Sequence, residues 1–509
     1  MTNRIKEFKN MVDHLTDVPK KVINNEQIIT SSSPYRQKYH VESESGTLGD
    51  PNGFSYFNGK YQLFYQWSPL AYSQKPHYTQ HGWKHLVSDD LIHWQDLGAA
   101  IESDTRYDRY GTYSGSAISE DDKLLMFYTG NTWINTDTQN NWVRIPYQIT
   151  AYMDKNNIVH RNNDPIIEGT VSGYTAHFRD PKVWKKDGEY YAILGVQRTN
   201  LTGTALIIHS KNFKDWNLLG ELNIKYDSLG YMWECPDYFE LDNNGVLVFC
   251  PQGLKSEGNK YQNIYQTCYL MGDKVSLPDT EFNAENLKEL DHGFDLYASQ
   301  TMFSPDGRRI LISWMGLPET SYPTDKFHYS GCMTIPKELK IINNKLYQVP
   351  IRELDTCRVN EQIIKQTLTD NVYQKKLCQT ANEYDFSIDF KTSNAFIIDL
   401  FADEDDRRRF RIILNKKKNE IVIDRSTTGK DISVAYGTTR TLDYSIDNEI
   451  NIRIYTDTSS VELFVNGGEE VFTSRVFPKK SQSYLFLNSV GGTTDITGNE
   501  QIGVILWLI

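Results

Sequence analysis

The amino-acid sequence predicts an all-β protein, and two features carry that prediction. Aromatic residues are abundant, with 32 Tyr, 22 Phe and 10 Trp among 509 residues, and aromatic side chains favour strands. Strand-like runs such as 60–67 and 123–129 alternate with turns rich in Gly, Asp and Asn, as expected of strands joined by tight turns. The chain is too long for one hydrophobic core, so we expect several domains.

The first element, at residues 1–33, is predicted to be a short helical extension. Its apolar residues recur at nearly helical spacing: Ile5, Phe8, Met11, Val12 and Leu15. The serine run before Pro34 ends this pattern and is typical of a linker.

Residues 34–340 are predicted to form a β-propeller, because the sequence contains an internal repeat. Segment 88–98 resembles segment 210–220, since both have Ser, an apolar residue, Trp, Leu and Gly at the same spacing. A repeated unit of strand, turn and Trp indicates sheets repeated around an axis. A propeller of four-stranded blades packs such sheets together.

Residues 341–360 are expected to form a linker with some helical spacing, followed by a β-sandwich at 361–509. Alternating runs return at 386–390, 410–414 and 461–465, and six or more such strands with turns between them fit two packed sheets. This part has no acid-rich cluster, so we expect it to support packing or oligomerisation rather than chemistry.

Composition and charge exclude several function classes. The net charge is −12, and no block of Lys and Arg is long enough to bind nucleic acid. No apolar run reaches the roughly 20 residues that span a bilayer, and the N-terminus lacks the apolar core of a signal peptide. We therefore expect a soluble cytoplasmic protein without a nucleic-acid or membrane partner. The six cysteines show neither CxxC nor Cys/His spacing, so no metal site or disulfide framework is predicted.

Three short strings place a carboxylate beside a turn-forming proline: Gly49–Gly53, Phe178–Pro181 and Trp233–Asp237. They contain Asp50, Asp180 and Glu234. Glycoside hydrolysis needs two carboxyl groups on opposite sides of the glycosidic oxygen, and a third acid can stabilise the cationic transition state. Each acid also has a purely structural explanation: an Asx-turn, an ion pair with a neighbouring Arg, or a solvated strand end.

The neighbours of two acids predict their ionisation. Glu234 lies between Trp233 and Cys235, where poor hydration would raise its pKa and keep it protonated, as a proton donor requires. Asp180 directly follows Arg179, and we expect this Arg to lower the pKa of Asp180 and keep it charged. A permanent anion suits transition-state stabilisation or the binding of sugar hydroxyls.

Aromatic and polar residues suited to a sugar accompany these acids. Sugar rings pack on aromatic faces, and their hydroxyls bond polar side chains. The aromatic candidates are Trp67, Trp83, Tyr113, Tyr297 and Trp314, and the polar candidates are Gln66, Ser114 and Gln300. Each aromatic residue, taken alone, also fits a place in the core.

Seven motifs follow one another along the chain: Asp50–Gly53, Phe64–Gln66, Trp83, Tyr113–Ala117, Phe178–Pro181, Glu234–Asp237 and Trp314–Gly316. Together they resemble glycoside hydrolase family 32, the invertase and fructan hydrolase family. Similar strings at 291–298, 330–336, 459–468 and 474–478 extend the resemblance over nearly the whole chain. The resemblance implies a five-bladed propeller followed by a β-sandwich, and an enzyme that needs no metal or organic cofactor.

The resemblance also implies roles for individual residues. Asp50 would be the nucleophile that forms a fructosyl ester, Glu234 the acid and base, and Asp180 the transition-state stabiliser. Eight residues would bind the substrate: Asn52, Gln66, Trp83, Tyr113, Ser114, Arg179, Tyr297 and Trp314. Such enzymes retain configuration, which would place the carboxyl groups of Asp50 and Glu234 about 5–5.5 Å apart.

One residue departs from the family pattern. Members usually have Asn directly before the nucleophile, whereas this chain has Gly49. A hydrogen bond to fructose is therefore missing or supplied from elsewhere, and one such bond is worth about 0.5–1.5 kcal/mol. We expect weaker turnover or binding rather than loss of the chemistry.

Within the family, the strings at 52–59, 144–148 and 174–181 are most similar to those of intracellular bacterial members that act on sucrose 6-phosphate. A phosphate dianion needs cationic or N–H donors, and the candidates are Arg144, His177 and Lys255. The alternatives are hydrolysis of unphosphorylated sucrose or short fructans, fructosyl transfer to another sugar, and a sugar-binding propeller without catalysis.

Overall fold

The structure is a computed structural model and describes residues 12–73, 78–135, 142–162, 164–377, 381–429 and 432–503. This part of the chain is almost entirely β-structure, which confirms the predicted fold class. Its one α-helix, α1, spans Lys20–Ser31, and short 3₁₀ helices span Leu15–Asp17, Asp325–Phe327, Arg352–Cys357 and Val434–Tyr436. No helix among these residues is both long and apolar enough to cross a membrane.

Helix α1 begins later than the predicted helical pattern. Residues 1–11, which carry most of that pattern, lie outside the described residues, and Leu15 belongs to a 3₁₀ turn. Within α1, Glu26 is buried, and its Oε2 lies 2.7 Å from His328 Nδ1. This contact packs the helix against the loop that leads into strand β20 (Tyr329–Ser330).

Strands β1 to β23 form five sheets in chain order. The first contains β1 (Gly46–Phe57), β2 (Lys60–Ser68), β3 (Gly82–Ser88) and β4 (Trp94–Ile101), with β20 beside β1. The second contains β5 (Thr112–Glu120), β6 (Lys123–Asn135), β7 (Trp142–Met153), β8 (Val159–Arg161) and β9 (Ile167–Glu168). The third contains β10 (Tyr174–Lys186), β11 (Glu189–Arg198), β12 (Gly203–Ser210) and β13 (Asn217–Glu221).

The fourth and fifth sheets follow these three along the chain. The fourth contains β14 (Met232–Leu241), β15 (Asn244–Gln252), β16 (Cys268–Gly272) and β17 (Lys288–Glu289). The fifth contains β18 (Tyr297–Phe303), β19 (Arg309–Met315), β21 (Cys332–Met333), β22 (Lys337–Ile342) and β23 (Lys345–Pro350).

The five sheets form a closed ring. The first strand of each sheet contacts the first strand of the next, from β1 through β5, β10 and β14 to β18, and β18 contacts β1 again. These inner strands therefore surround a common axis, as they do in a propeller. Residues on the inner strands can meet there although they are far apart in the sequence.

Separate hydrophobic cores lie between neighbouring sheets. Trp83 of the first sheet packs in one core with Tyr128 of the second, and Leu63 of the first sheet shares another with Ile312 of the fifth. Burying both faces of a strand explains why these strands are apolar runs rather than strict alternations.

The repeated segments 88–98 and 210–220 occupy the same position in two sheets. Each links the third strand to the fourth, β3 to β4 and β12 to β13. Asp90 Oδ1 accepts two backbone N–H groups of its turn, at 2.9 and 2.8 Å, and Asn212 Oδ1 accepts two of its own, both at 2.9 Å. The interpretation of the repeat as one structural unit is confirmed.

The C-terminal part consists of two six-stranded antiparallel sheets packed around one core. One sheet contains, in spatial order, β24 (Arg358–Thr369), β35 (Thr493–Gly503), β26 (Asn382–Asp389), β31 (Glu449–Asp457), β32 (Ser460–Val465) and β33 (Glu470–Arg475). The other contains β25 (Val372–Lys376), β34 (Tyr484–Val490), β27 (Ala395–Ala402), β28 (Phe410–Asn415), β29 (Glu420–Asp424) and β30 (Thr439–Asp443). Alternating burial along β28, for example, puts one face of each strand in the core.

Residues 341–360 differ from the expected linker. Residues 341–342 end β22, which pairs with β23 in a hairpin of the fifth sheet. The only helical turn in this segment is the 3₁₀ helix Arg352–Cys357. Burial alternates along Lys345–Pro350, but Gln348 is buried and Val349 is half-buried, so this strand has no alternation of apolar and polar residues that the sequence could show.

Buried ionic contacts join the C-terminal sandwich to the ring. The two ring nitrogens of His40 lie 2.9 Å from Asp457 and 3.0 Å from Glu462. Glu462 also lies 3.2 Å from Lys337 of β22, and both side chains are fully buried. Because buried charges need such partners, these contacts fix the sandwich against the segment before β1 and against the fifth sheet.

Candidate active site

The inner strands of the ring lose their regular pairing at the three acidic strings. The register shifts between positions 48 and 51 of β1, 179 and 182 of β10, and 234 and 237 of β14. Such a bulge inserts an extra residue and changes the direction of nearby side chains. Proline is tolerated there because a bulged residue needs no N–H in the ladder. The acid-proline strings are therefore the places where the strands turn their carboxylates toward one another.

Two residues of these bulges have left-handed backbone. Asp180 has φ 62° and Cys235 has φ 49°, a conformation that costs a non-glycine residue about 1–2 kcal/mol. Neighbouring strands hold it in place: the N–H of Asp180 donates to Thr129 Oγ1 at 3.1 Å, and the N–H of Cys235 donates to Asp180 Oδ2 at 3.0 Å. The side chain of Asp180 therefore ties the bulge of β14 to that of β10, and Thr129 of β6 holds the bulge of β10.

Asp50 is half-buried on β1. Its Oδ2 accepts a hydrogen bond from Ser114 Oγ at 2.5 Å and a weak one from Cys235 Sγ at 3.5 Å. Gln66 Nε2 donates to the same serine oxygen at 2.7 Å. Burial, followed by the negative charge of Asp180, raises the pKa of Asp50 to about 7.

Asp180 is buried, and its Oδ2 lies 3.8 Å from Arg179 Nε. Burial raises the pKa of Asp180 to about 6 although Arg179 opposes the shift. Arg179 does lower the pKa of Asp180, as expected, but burial outweighs it, so the expected net lowering of this pKa is wrong. The reason is that the guanidinium of Arg179 turns toward Glu234 instead of toward its neighbour in the sequence.

Glu234 receives hydrogen bonds on both carboxyl oxygens. Its Oε1 accepts from Arg179 Nη2 at 2.5 Å and Nε at 3.1 Å, and its Oε2 accepts from Tyr297 Oη at 2.5 Å and Gln252 Nε2 at 2.7 Å. Burial opposes ionisation, but the charge of Arg179 and the Tyr297 hydrogen bond outweigh it and hold the pKa of Glu234 below its ordinary value.

The expected rise in the pKa of Glu234 is therefore wrong as well. Trp233 and Cys235 flank Glu234 in the sequence, but its carboxyl group reaches donors on β10, β15 and β18. Those donors stabilise the ionised form and outweigh the effect of poor hydration.

A chain of contacts joins the three acids into one site. Cys235 contacts both Asp50 and Asp180, and Arg179 lies near Asp180 and bonds Glu234. The structure thus brings together the three acids that the sequence singled out. Burial raises the pKa values of Asp50 and Asp180, whereas Arg179 and Tyr297 hold that of Glu234 below its ordinary value.

Several predicted sugar-binding residues lie behind this site rather than facing a sugar. Asn52 is fully buried and bridges two inner strands, because its Nδ2 donates to Asp50 O and its Oδ1 accepts the N–H of Gly115, both at 3.0 Å. Trp83 is also fully buried, and its indole N–H donates to Tyr113 O at 3.0 Å. Its ring is a core side chain that supports Tyr113, so it is not a stacking platform.

The remaining aromatic candidates divide in the same way. Tyr297 is buried and bonds Glu234 through its hydroxyl. The half-buried Trp314 packs edge-on against the ring of Tyr297, with ring centroids 6.4 Å apart. Trp67 is buried in the core, where its indole N–H donates to Ser43 Oγ at 2.8 Å. Gln300 is buried too and accepts the N–H of Phe54 at 3.0 Å, which ties β18 to β1.

A group of cationic and imidazole side chains lies on one side of Glu234. The guanidinium of Arg144 lies 5.6 Å from the ring centre of Tyr113, and its Nε and Nη2 are buried without a hydrogen-bond partner among the described residues. His177 Nδ1 lies 3.0 Å from Arg179 Nη1. Desolvation, followed by the nearby charge of Arg179, lowers the pKa of Arg144 to about 10 and that of His177 to about 4. Lys255 is exposed in the loop after β15.

Sequence reasoning missed two residues that contact the acids directly. Cys235 lies within the third acidic string. Its left-handed backbone, which marks the bulge, is visible only in the structure. Gln252 lies 18 positions beyond Glu234, and only the pairing of β14 with β15, which sets Met232 opposite Gln252, brings the two together. The sequence contains no local signal for that contact.

Comparison with known proteins gives matches over most of the chain. The family model of the Glycosyl hydrolases family 32 N-terminal domain matches residues 40–350, and that of the family 32 C-terminal domain matches residues 353–502. The sucrose-6-phosphate hydrolase of Pediococcus pentosaceus is 37% identical over 470 residues, which cover 92% of this chain and 90% of that protein. That of Lactococcus lactis subsp. lactis is 38% identical over 455 residues, which cover 88% and 90%. The solved structure of the sucrose-6-phosphate hydrolase from Lactobacillus gasseri matches with a TM-score of 0.88 at 34% identity, covering 99% of both chains.

Proposed function

The chain belongs to glycoside hydrolase family 32, and from this premise we propose that it hydrolyses sucrose 6-phosphate to glucose 6-phosphate and fructose. The observation that carries the proposal is the meeting of three acids near Arg144, whose Nε and Nη2 are buried without a hydrogen-bond partner among the described residues. The curated relatives reported above, both sucrose-6-phosphate hydrolases, support the same substrate. The five sheets would be the five blades of the propeller.

Asp50 is the nucleophile in this proposal. One of its carboxylate oxygens attacks the anomeric carbon of fructose and forms an ester while the bond from that carbon to the glycosidic oxygen breaks. Glu234 gives its proton to the departing oxygen, and glucose 6-phosphate leaves. Water then attacks the anomeric carbon while the bond from that carbon to Asp50 breaks, Glu234 takes a proton from the water, and fructose is released with its configuration retained. This double displacement requires the two carboxyl groups about 5–5.5 Å apart.

Asp180 stabilises the positive charge that develops on the fructose ring. Its oxygen lies beside the same Cys235 that contacts Asp50, so the two anions can share one sugar. Ser114 and Gln66 keep Asp50 in place through their hydrogen-bond chain. Tyr113 and Trp314, which are both half-buried, are the aromatic faces available to the substrate.

The phosphate group binds Arg144 and His177. Arg144 offers two buried nitrogen donors that have no partner among the residues the structure describes, and an unsatisfied buried cation is costly unless a ligand pairs it. A phosphate accepts such donors through several oxygens at once. His177 borders the same space through Arg179. The exposed Lys255 has at most a long-range effect. Because a sugar phosphorylated during import stays in the cell, the proposal implies a cytoplasmic enzyme.

The decisive measurement is the ratio of kcat/KM on sucrose 6-phosphate to kcat/KM on sucrose. We expect the wild type to favour the phosphorylated sugar. Arg144→Ala is expected to raise KM for sucrose 6-phosphate about 10- to 100-fold, the size of one or two charged hydrogen bonds, and to change KM for sucrose less than about threefold. Lys255→Ala is the matched removal of an exposed cation and should leave both values nearly unchanged.

Two outcomes would contradict the proposal. Equal effects of Arg144→Ala on both sugars would remove Arg144 from the phosphate site. A wild-type enzyme that prefers sucrose or a short inulin oligomer would instead assign the site to unphosphorylated substrates.

A further inference from the structure

Gln252 bonds Glu234 but has no role in the reaction steps proposed for the three acids. It ends strand β15 and is 7% exposed. Its backbone is held on the adjacent strand, because the N–H of Tyr231 donates to its carbonyl oxygen at 2.8 Å. From this fixed position its amide Nε2 donates to Glu234 Oε2 at 2.7 Å.

The two oxygens of Glu234 have different environments. Oε1 faces the permanent cation Arg179, so a proton is least stable on that oxygen. Oε2 faces two neutral donors, Tyr297 and Gln252. The hydroxyl of Tyr297 can rotate and accept a hydrogen bond when Oε2 becomes protonated, whereas the N–H of Gln252 can only donate. Oε2 is therefore the oxygen that carries the transferable proton, and Gln252 is the donor that stays in place.

We propose that Gln252 is a positioning residue, whose amide holds Oε2 of Glu234 in the direction from which it protonates the departing oxygen. The inference rests on the proposed function and deepens it. During the reaction the proton moves from Oε2 to the glycosidic oxygen as the bond from that oxygen to fructose breaks and the bond to Asp50 forms. In the second step Oε2 recovers a proton from water. Gln252 exchanges no atom in either step.

This role predicts a dependence on the leaving group. Sucrose 6-phosphate releases a sugar alcohol, which needs a proton to depart, whereas a nitrophenyl β-fructofuranoside releases a stable anion that needs none. Losing the amide should therefore slow only the first reaction. It should also raise the pKa of Glu234, because a hydrogen bond to an ionised carboxylate favours ionisation.

The test compares Gln252→Met with Gln197→Met. Gln197 is an equally buried glutamine, whose Nε2 donates to Tyr231 O at 2.8 Å and which does not bond Glu234. We expect Gln252→Met to lower kcat/KM on sucrose 6-phosphate about 10-fold, mainly through kcat, and to leave kcat/KM on the nitrophenyl fructoside within about threefold. The lower apparent pKa in the pH profile of Gln252→Met should rise. Gln197→Met should change neither kcat/KM on sucrose 6-phosphate nor this apparent pKa.

Equal losses on both substrates, or no loss on either, would overturn the inference. If Gln252→Met does not fold by circular dichroism, Gln252→Glu replaces it. Two carboxyl groups in contact share a proton, so that variant must also raise the lower apparent pKa, and an unchanged value would overturn the inference.

The wild-type measurements separate this inference from the proposed function. A wild type that hydrolyses the aryl fructoside but prefers sucrose to its phosphate contradicts only the proposed substrate. A wild type that hydrolyses no fructoside overturns both.

Discussion

The Asp50 side and the Glu234 side of the site are both half-buried, yet they differ in the state of their carboxyl groups. Glu234 accepts hydrogen bonds from a guanidinium, a phenol and an amide, and its pKa is lowered. Asp50 accepts from one hydroxyl and one thiol and faces another carboxylate, and its pKa is raised to about 7. Because both carboxyl groups are half-buried, burial alone does not explain the difference. The hydrogen-bond donors and charges on neighbouring strands decide which of the two has the higher pKa.

This difference sets the starting state of the reaction. In the proposed mechanism Asp50 must be ionised and Glu234 protonated, the reverse of the order in which their surroundings shift the two pKa values. The pH profile of kcat/KM reports the free enzyme, so its lower apparent pKa belongs to Glu234 and its upper one, about 7, to Asp50. Activity should be nearly constant between the two values and should fall outside them. The following variants test this contrast.

The largest effect is expected on the Asp50 side. Asp50→Asn removes the nucleophile, so kcat/KM for sucrose 6-phosphate should fall at least about 10⁴-fold, as for other enzymes that lose a covalent nucleophile. Fructose release measured by a coupled assay checks this. A variant that retains more than a tenth of wild-type turnover would mean that Asp50 does not form the ester.

The next effect is expected on the Glu234 side. Glu234→Gln keeps the shape of the side chain but has no proton to give, so kcat/KM on sucrose 6-phosphate should fall about 10²- to 10⁴-fold. kcat/KM on an aryl fructoside, which reports the first step, should fall far less, because its leaving group departs without a proton. If kcat/KM falls equally on both substrates, Glu234 is not the proton donor.

A smaller effect is expected from the donor to Asp50. Ser114→Ala removes the hydrogen bond at 2.5 Å, which favours the ionised form, so the pKa of Asp50 should rise by about one unit. The upper limb of the pH profile then moves to higher pH, and activity on the plateau falls about tenfold because fewer molecules have Asp50 ionised.

Ser116→Ala is the matched control for this experiment. Ser116 lies on the same strand but donates to Pro181 O at 2.8 Å, so its removal should leave both limbs in place. A downward shift of the upper limb in Ser114→Ala would contradict the assignment of that limb to Asp50.

The smallest effect, and the only expected gain, concerns Gly49. A Cβ at this position would lie 3.5 Å from Gln66 Cβ, an ordinary contact, so the Asn usual in the family fits here. Gly49→Asn should restore one hydrogen bond to fructose and raise kcat/KM about 2- to 10-fold. Steady-state kinetics on sucrose and sucrose 6-phosphate check this. A loss on both sugars would mean that Gln66 needs the space.

Much of the fold could be predicted because strands and turns are local. The hairpin at 54–59 follows from the Asn58-Gly59 turn, and both residues have positive φ as such a turn requires. The strand Lys345–Pro350 was missed, because Gln348 is buried and Val349 is half-buried, so its burial alternates while its hydrophobicity does not. Long-range features had no local signal at all: only the closed ring decides that β18 lies beside β1.

The sequence by itself determined which acids to single out for the proposed chemistry. Asp50, Asp180 and Glu234 stand out because each lies within two residues of a proline that interrupts a strand, and a local break of this kind can be read from local sequence. Only the tertiary structure decided what each acid bonds. Arg179 adjoins Asp180 in the sequence but pairs with Glu234, 55 positions away. Protonation depends on the charges and donors within a few ångströms, and in this ring those come from other sheets, so the order of the pKa values could not be read from the chain.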